Sequence, residues 1–388
     1  MSQSFDEITQ QLKARHRKSR RLYWLSLSAL VLAGVFLVAF LADMISKGYP
    51  AFVQAELQVD VTYSEQSVEL PLAAVGDDVR YLVSRGWLRL LPRYVEADPE
   101  LMGTTQREWV IADDQVDQYL KGHYTKLKDS EKAIIDQLEE EGRARLAFNT
   151  GFFTNGDSKL PEIAGIQSAV VGSILTLLVT LAFAFPIGVM TAVYLEEFAP
   201  DNRVTQAIEV NINNLAAVPS ILFGLLGLAI FINFFGVPRS SALVGGLTLG
   251  LMTLPIIIIS SRAALRSVPD SIRQAAFGVG ASRWQVVRDH VLPLSLPGIL
   301  TGSIIGLAQA LGETAPLIII GMIAYIPDAP TSITQAATVL PAQIFTWAGE
   351  PERAYVERTA AGILVLLTVL ISLNATAVYL RKKFERRW

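Results

Sequence analysis

Two short stretches place polar residues where apolar surroundings make them costly. The first is Gln309-Ala310-Leu311-Gly312-Glu313-Thr314-Ala315-Pro316, inside a long apolar segment. A carboxylate at membrane depth is expensive unless satisfied, so Glu313 reads as functional by default. It suits pairing with an arginine, capping of a helix broken between Gly312 and Pro316, or gating of a path. It does not suit direct ligation of an anion, because like charges repel. Attraction for an anion would come from arginines, from hydroxyls such as Thr314 and Ser220, or from helix N-termini. A glutamate near the outer interface with no part in transport is the plainer alternative. The second stretch is Asn211, Asn213 and Asn214 ahead of Ala217-Val218-Pro219-Ser220. Clustered amides avoid lipid, so they point into a bundle or lie at the cytosolic mouth of a span, where they cost little. The candidate pathway or gate is therefore Asn213, Asn214, Pro219, Ser220, Gln309, Glu313, Thr314 and Pro316.

A third stretch, Gln274-Ala275-Ala276-Phe277-Gly278-Val279-Gly280 with His290-Val291-Leu292-Pro293, is polar, flanked by arginines and stranded between apolar blocks. Its expected role is mechanical, to be gripped from the cytosolic side. Covalent chemistry has little to work with. The chain lacks Cys, which removes thiolate nucleophiles, disulfides and Cys-ligated metals. Its three histidines, His16, His123 and His290, are far apart and argue against a His-based metal site. No GxxxxGK[ST] loop occurs. The chain reads as a non-enzyme without a bound cofactor or metal, and any nucleotide hydrolysis belongs to another polypeptide.

These stretches need spans to hold them. Of 388 residues 51% are hydrophobic and 18% charged, with the apolar ones in blocks. Leu22–Ile45 is long enough to cross a hydrocarbon core of about 30 Å, and it lacks the short apolar core and cleavage site of a secretory signal. Five further candidates are Ile163–Tyr194, Asn214–Phe235, Ala242–Ser260, Leu296–Ile323 and Thr359–Leu380. Pro186 and Gly188 suggest a kinked or tilted second span. Six spans put both termini on one side, and basic residues crowd that side: Lys13 to Arg21, the arginines from Arg262 to Arg288, and Arg381 to Arg387. This bias marks cytosolic segments. The mainly acidic loop Glu196–Glu209 breaks the pattern. Most membrane-depth Gly and Pro residues are expected to serve close helix packing, although interrupted helices also line cavities.

Residues 46–160 are different material, with 20 acidic and 13 basic residues. Val59–Leu72 shows partial strand alternation, and Lys126–Leu146 looks helical, with a stripe of Ile134, Ile135, Leu138 and Leu146. Phe148–Leu160 reads as a loop. The domain is expected outside the cytosol, with receptor docking, a lid or passive structure as open roles. The expected division is a basic cytoplasmic tail (1–21), a first span (22–45), a periplasmic insertion (46–160), a five-helix core (163–381) carrying a cytoplasmic loop (262–293), and a second basic tail (382–388).

Gln274, Ala275 and Ala276 with Gly280, Leu292 and Pro293 resemble the EAA loop of binding-protein-dependent ABC import permeases. In that superfamily the loop forms a coupling helix that docks into an ATPase subunit. Here Gln274 stands for the usual Glu and His290 for the usual Ile, which shifts the expected contact from charge toward packing. Gly312 to Leu317, Val218 to Leu225 and Thr253 to Pro269 resemble the PstA-type permeases of phosphate importers. The resemblance implies an all-α polytopic membrane protein with the ABC importer type I permease (MetI-like) fold, plus a mixed α/β or α-rich extracytoplasmic insertion. It implies inorganic phosphate as substrate, a PstC-type partner permease, a PstB-type ATPase dimer using ATP-Mg, and a periplasmic phosphate-binding protein. Lipid surrounds the chain and nucleic acid has no part. The alternatives are a permease for molybdate, sulfate or a polyamine, and a non-transporting scaffold or sensor.

Overall fold

The computed structural model describes residues 2–323 and 325–384. Among them, five helices are long and apolar enough to cross a membrane, or six if one sharply bent pair is a single span. The first, α1 (Ser2–Gly48), runs unbroken from the basic tail through the apolar block. None of its most apolar window is buried in the chain. Its end rests on the last helix, where a Cβ on Gly48 would come within 2.9 Å of the Ala361 nitrogen.

Residues 53–148 supply a three-stranded antiparallel sheet in the order β2-β1-β3. Its strands are β1 (Val53–Thr62), β2 (Thr105–Ile111) and β3 (Ala144–Phe148). Alternate residues Ala55, Leu57, Val59 and Val61 of β1 point into one core, as the two-residue period of a half-buried strand requires. Helices α2 (Asp114–Leu120) and α3 (Asp129–Glu140) cover it. The insertion is thus α/β, with two local departures from expectation. The strand begins at Val53 and stops at Thr62, because Ser64 caps a helical turn over Glu65–Glu69. Helix α3 buries Ile135 and Leu138 but ends before Leu146, which sits on β3; Gly142 at φ +70° turns the chain.

The membrane core starts with α4 (Gln167–Val193), which continues through Pro186 and packs on α7 (Ala242–Arg266). Small residues set their spacing. A Cβ on Gly246 would lie 2.4 Å from Cβ of Val179, and one on Gly250 2.6 Å from the Phe183 ring. Close approach of this kind drives helix association where lipid is as apolar as leucine.

Two spans differ from their expected form. In place of one helix over Asn214–Phe235, α5 (Arg203–Leu215) meets a second helix, Ser220–Phe234, at 105°. That second helix is α6 (Ser220–Leu226) continued by a wider π-type segment, Gly227–Phe234. Pro219 causes the break, since it lacks an N–H and biases its predecessor away from helical backbone. The Asn202 carboxamide caps α5 by accepting from the Val204 and Thr205 N–H groups. The long fifth segment also divides. Helix α9 (Leu292–Gly312) stops at Glu313, and α10 (Ala315–Ile319) follows. Pro316 cannot donate to the Gly312 carbonyl, so the helix cannot pass this point.

Between them α8 (Asp270–Gly278) crosses the loop. A further helix, α11 (Leu340–Ala348), fills the stretch before the last span and was not anticipated from hydropathy. It is buried by Trp347 and by Gln343, whose Nε2 donates to the Gly165 carbonyl at 2.7 Å. The last helix, α12 (Arg353–Phe384), carries buried charge at its start. Lys121 Nζ lies 2.6 Å from Asp117 and 3.1 Å from Glu357, each side chain about 5–6% exposed. Gln118 also donates to Glu357 at 2.9 Å. The insertion is thereby fastened to α12.

Candidate functional site

The loop between α7 and α9 folds as a helix, a reversal and a second helix. Helix α8 ends in a Schellman motif. The Ala281 N–H donates to the Ala276 carbonyl at 3.1 Å, the Gly280 N–H to Phe277 at 2.9 Å, and Gly280 adopts φ +88°. A side chain is strained at that angle, which is why glycine is required. Ser282 then caps the next helix through a reciprocal box with Gln285, and the chain runs helically from Arg283 to Gly312.

This reversal sorts the expected loop residues. Ala276 is buried beneath α8, while Gln274 and Ala275 face outward and Pro293 lies exposed at the start of α9. Ala275, Ala276, His290 and Pro293 line one recess of about 460 Å³ together with Ile272 and Val279. Around it, Val279 is 86% exposed, Trp284 58% and Phe277 47%. Large apolar side chains exposed on a rigidly capped segment are what a docking surface presents.

Sequence reasoning missed the acidic partners of this loop. Glu196 accepts from Arg262 at 3.3 Å and from Arg266 at 2.8 Å, and Glu209 accepts from Arg262 at 2.5 Å. Glu197 accepts from Arg273 at 2.8 Å. The acidic stretch that seemed an exception to the charge bias is thus the counter-charge of the arginines facing it.

The second set of candidates is only partly gathered. Gly224 of α6 packs on α10, where an added Cβ would lie 2.7 Å from the Pro316 Cα. This sets the Pro219–Ser220 turn and the Glu313–Pro316 break on neighbouring elements. Ile305, Gln309 and Gly312 follow one another on an exposed face of α9, and Glu313 and Thr314 are half-buried at its end. No arginine pairs with Glu313 among the described residues, so the ion-pair role expected for it is not seen; it stands at the break in the helix. Asn213 and Asn214 lie exposed at the end of α5, just ahead of the 105° bend. Behind α9 the packing is tight: Ser173, Thr176, Leu249, Ala310 and Leu317 leave about 10 Å³.

Two carboxyls near the insertion are unusual. Burial pushes Asp157 up to about 7, against hydrogen bonds from the Trp347 indole at 2.8 Å and the Ser158 N–H at 2.9 Å. Burial, with Asp114 alongside, likewise raises Asp113 to about 7.

Residues 184–387 match the family model described as binding-protein-dependent transport system inner membrane component. Residues 9–77 and 73–129 match a domain of unknown function (DUF3333). The chain is 34% identical over 178 residues to the probable ABC transporter permease protein YqgI of Bacillus subtilis (strain 168), covering 46% of this chain and 59% of that relative. It is 31% identical over 231 residues to the phosphate transport system permease protein PstA 1 of Mycobacterium tuberculosis (strain CDC 1551 / Oshkosh), covering 59% and 75%. A methionine ABC transporter, MetNI, in inward-facing form aligns with TM-score 0.44 and 20% identity over 57% of this chain and 98% of the other.

Proposed function

This chain belongs to the family of binding-protein-dependent transport system inner membrane components, and from that membership we propose that it is the permease subunit of an ATP-driven phosphate importer. Relatives named as phosphate transport permeases support the substrate. The fold is that of a type I ABC importer permease with an α/β insertion. The observation that carries the mechanism is the rigid, uncovered α8 segment with its apolar recess. In our reading a separate ATPase dimer, using ATP-Mg, grips this surface from the cytosol and moves the helices that hold it, while both termini lie on the same side. A periplasmic phosphate-binding protein delivers phosphate at the insertion side.

Phosphate passes along the exposed α9 face, between this chain and a second permease subunit. A membrane-depth face bearing Gln309 with Glu313 at its end is costly against lipid and fits a protein-lined path, while the opposite side of α9 packs tightly around Ala310. No covalent step falls to it.

The test is purification in mild detergent with its neighbouring transport subunits, followed by reconstitution. We expect a co-purifying ATPase whose hydrolysis rises with phosphate-loaded binding protein. Gly280→Val, which forces a branched side chain to φ +88°, should cost about 1–3 kcal/mol locally and uncouple hydrolysis from uptake. Stimulation by molybdate, sulfate or a polyamine instead of phosphate would overturn the substrate. Normal coupling in Gly280→Val would overturn the role of α8.

A further inference from the structure

We infer that Glu197 and Arg273 form a strap that makes the end of α4 move with the coupling helix, so that both are positioning residues for energy transfer. This rests on the reading of α8 as the ATPase-driven element. Arg273 sits on α8, and its side chain reaches three ways. Nη1 donates to the Val268 carbonyl at 2.6 Å, Nη2 to the Leu265 carbonyl at 3.0 Å, and Nη2 also to the Glu197 carboxylate at 2.8 Å. The first two bonds hold α8 to the end of α7, which the chain already joins to it. The third is different in kind, because Glu197 lies in the π-type segment Tyr194–Phe198 that ends the α4 span.

The strap is sheltered, with Glu197 9% and Arg273 16% exposed, so it is less screened than a surface pair. Arg273 also meets Asp270 at 3.2 Å, but that carboxylate is 86% exposed. The Glu196 pairs with Arg262 and Arg266 join the same α4 end to α7. Displacement of α8 therefore reaches α4 directly through Glu197, and α4 packs along α7 on glycine contacts. Without the strap, α8 would deliver its motion to α7 and α9, and α4 would follow only indirectly, through its packing on α7 and the Glu196 pairs.

A double-mutant cycle on the reconstituted importer tests this, reading phosphate moved per ATP hydrolysed. Glu197→Gln removes the charge that makes the strap strong, leaving at most a neutral hydrogen bond, and keeps the Arg273 bonds to Leu265 and Val268. We expect Glu197→Gln and Arg273→Gln each to lower the ratio about fivefold, the double variant to be no worse than either, and Glu197→Asp to recover part of it; contacting pairs couple in this non-additive way. ATPase co-purification should stay at the wild-type value, with the melting temperature lowered by the lost pair but the importer still folded at the assay temperature. A wild-type ratio in Glu197→Gln overturns the strap and leaves Arg273 a local cap of α7. Additive losses overturn it too. Failure of the unmodified importer to move phosphate would instead refute the functional reading beneath it.

Discussion

Asp157 shows how a single buried carboxyl ties the junction between insertion and core to pH. Its folded-state value of about 7 stands above the ordinary 3.8. Between those values the native chain holds a proton that the unfolded chain releases. Its contribution to stability is therefore complete below the ordinary value and is lost as pH rises through 7. Asp157→Asn keeps an oxygen for the Trp347 indole but cannot ionise. It should raise the melting temperature at pH 8 and flatten the pH dependence between about 4 and 7, as read by thermal unfolding in detergent across that range. An unchanged profile would show that the carboxyl is not the group that titrates there.

At the scale of elements, the breaks at Pro219 and at Gly312–Pro316 shape the chain more than its continuous helices do. The two elements that follow those breaks, α6 and α10, meet at Gly224, which touches backbone rather than a yielding side chain. Gly224→Val should force α6 and α10 apart at a cost of about 1–3 kcal/mol. It should cut phosphate uptake while ATPase co-purification persists, since α8 is remote from the contact. Much of this layer was legible in advance. The Gly312–Pro316 motif offered a broken fifth segment as one reading, and the resemblance carried by Gln274 to Pro293 implied a short helix in the loop, where α8 lies. Hydropathy misled at Asn214, because averaging over a window blends an amphipathic helix into the span after the bend. It also missed α11, whose nine residues are too few to register as a span. The ion pairs of Glu196, Glu197 and Glu209 were hidden for another reason: they join residues more than fifty positions apart, and local pattern carries no sign of that.

At the scale of the molecule, the insertion and the last span are held together because Lys121 bridges Asp117 and Glu357 between them. Lys121→Met would strip both buried carboxylates of their nearest cation, leaving His123, 3.3 Å from Glu357, the buried Arg358 and the Ala55 and Gln118 donors to face them. Loss of one partner from such a site costs about 3–5 kcal/mol. The expected outcome is a lower melting temperature and faster proteolysis within residues 46–160, with part of the loss recovered by adding Glu357→Gln. Unchanged protease resistance would count against the junction.

The same junction sets an order of birth. Synthesis delivers the N-terminal elements first, yet α1 leans on α12 at Ala361, and the charges of the insertion close on Glu357. The first span and residues 46–160 therefore leave the ribosome well before their buttress exists. They must wait, lipid-bound and half-finished, until the final helix enters the membrane and completes them.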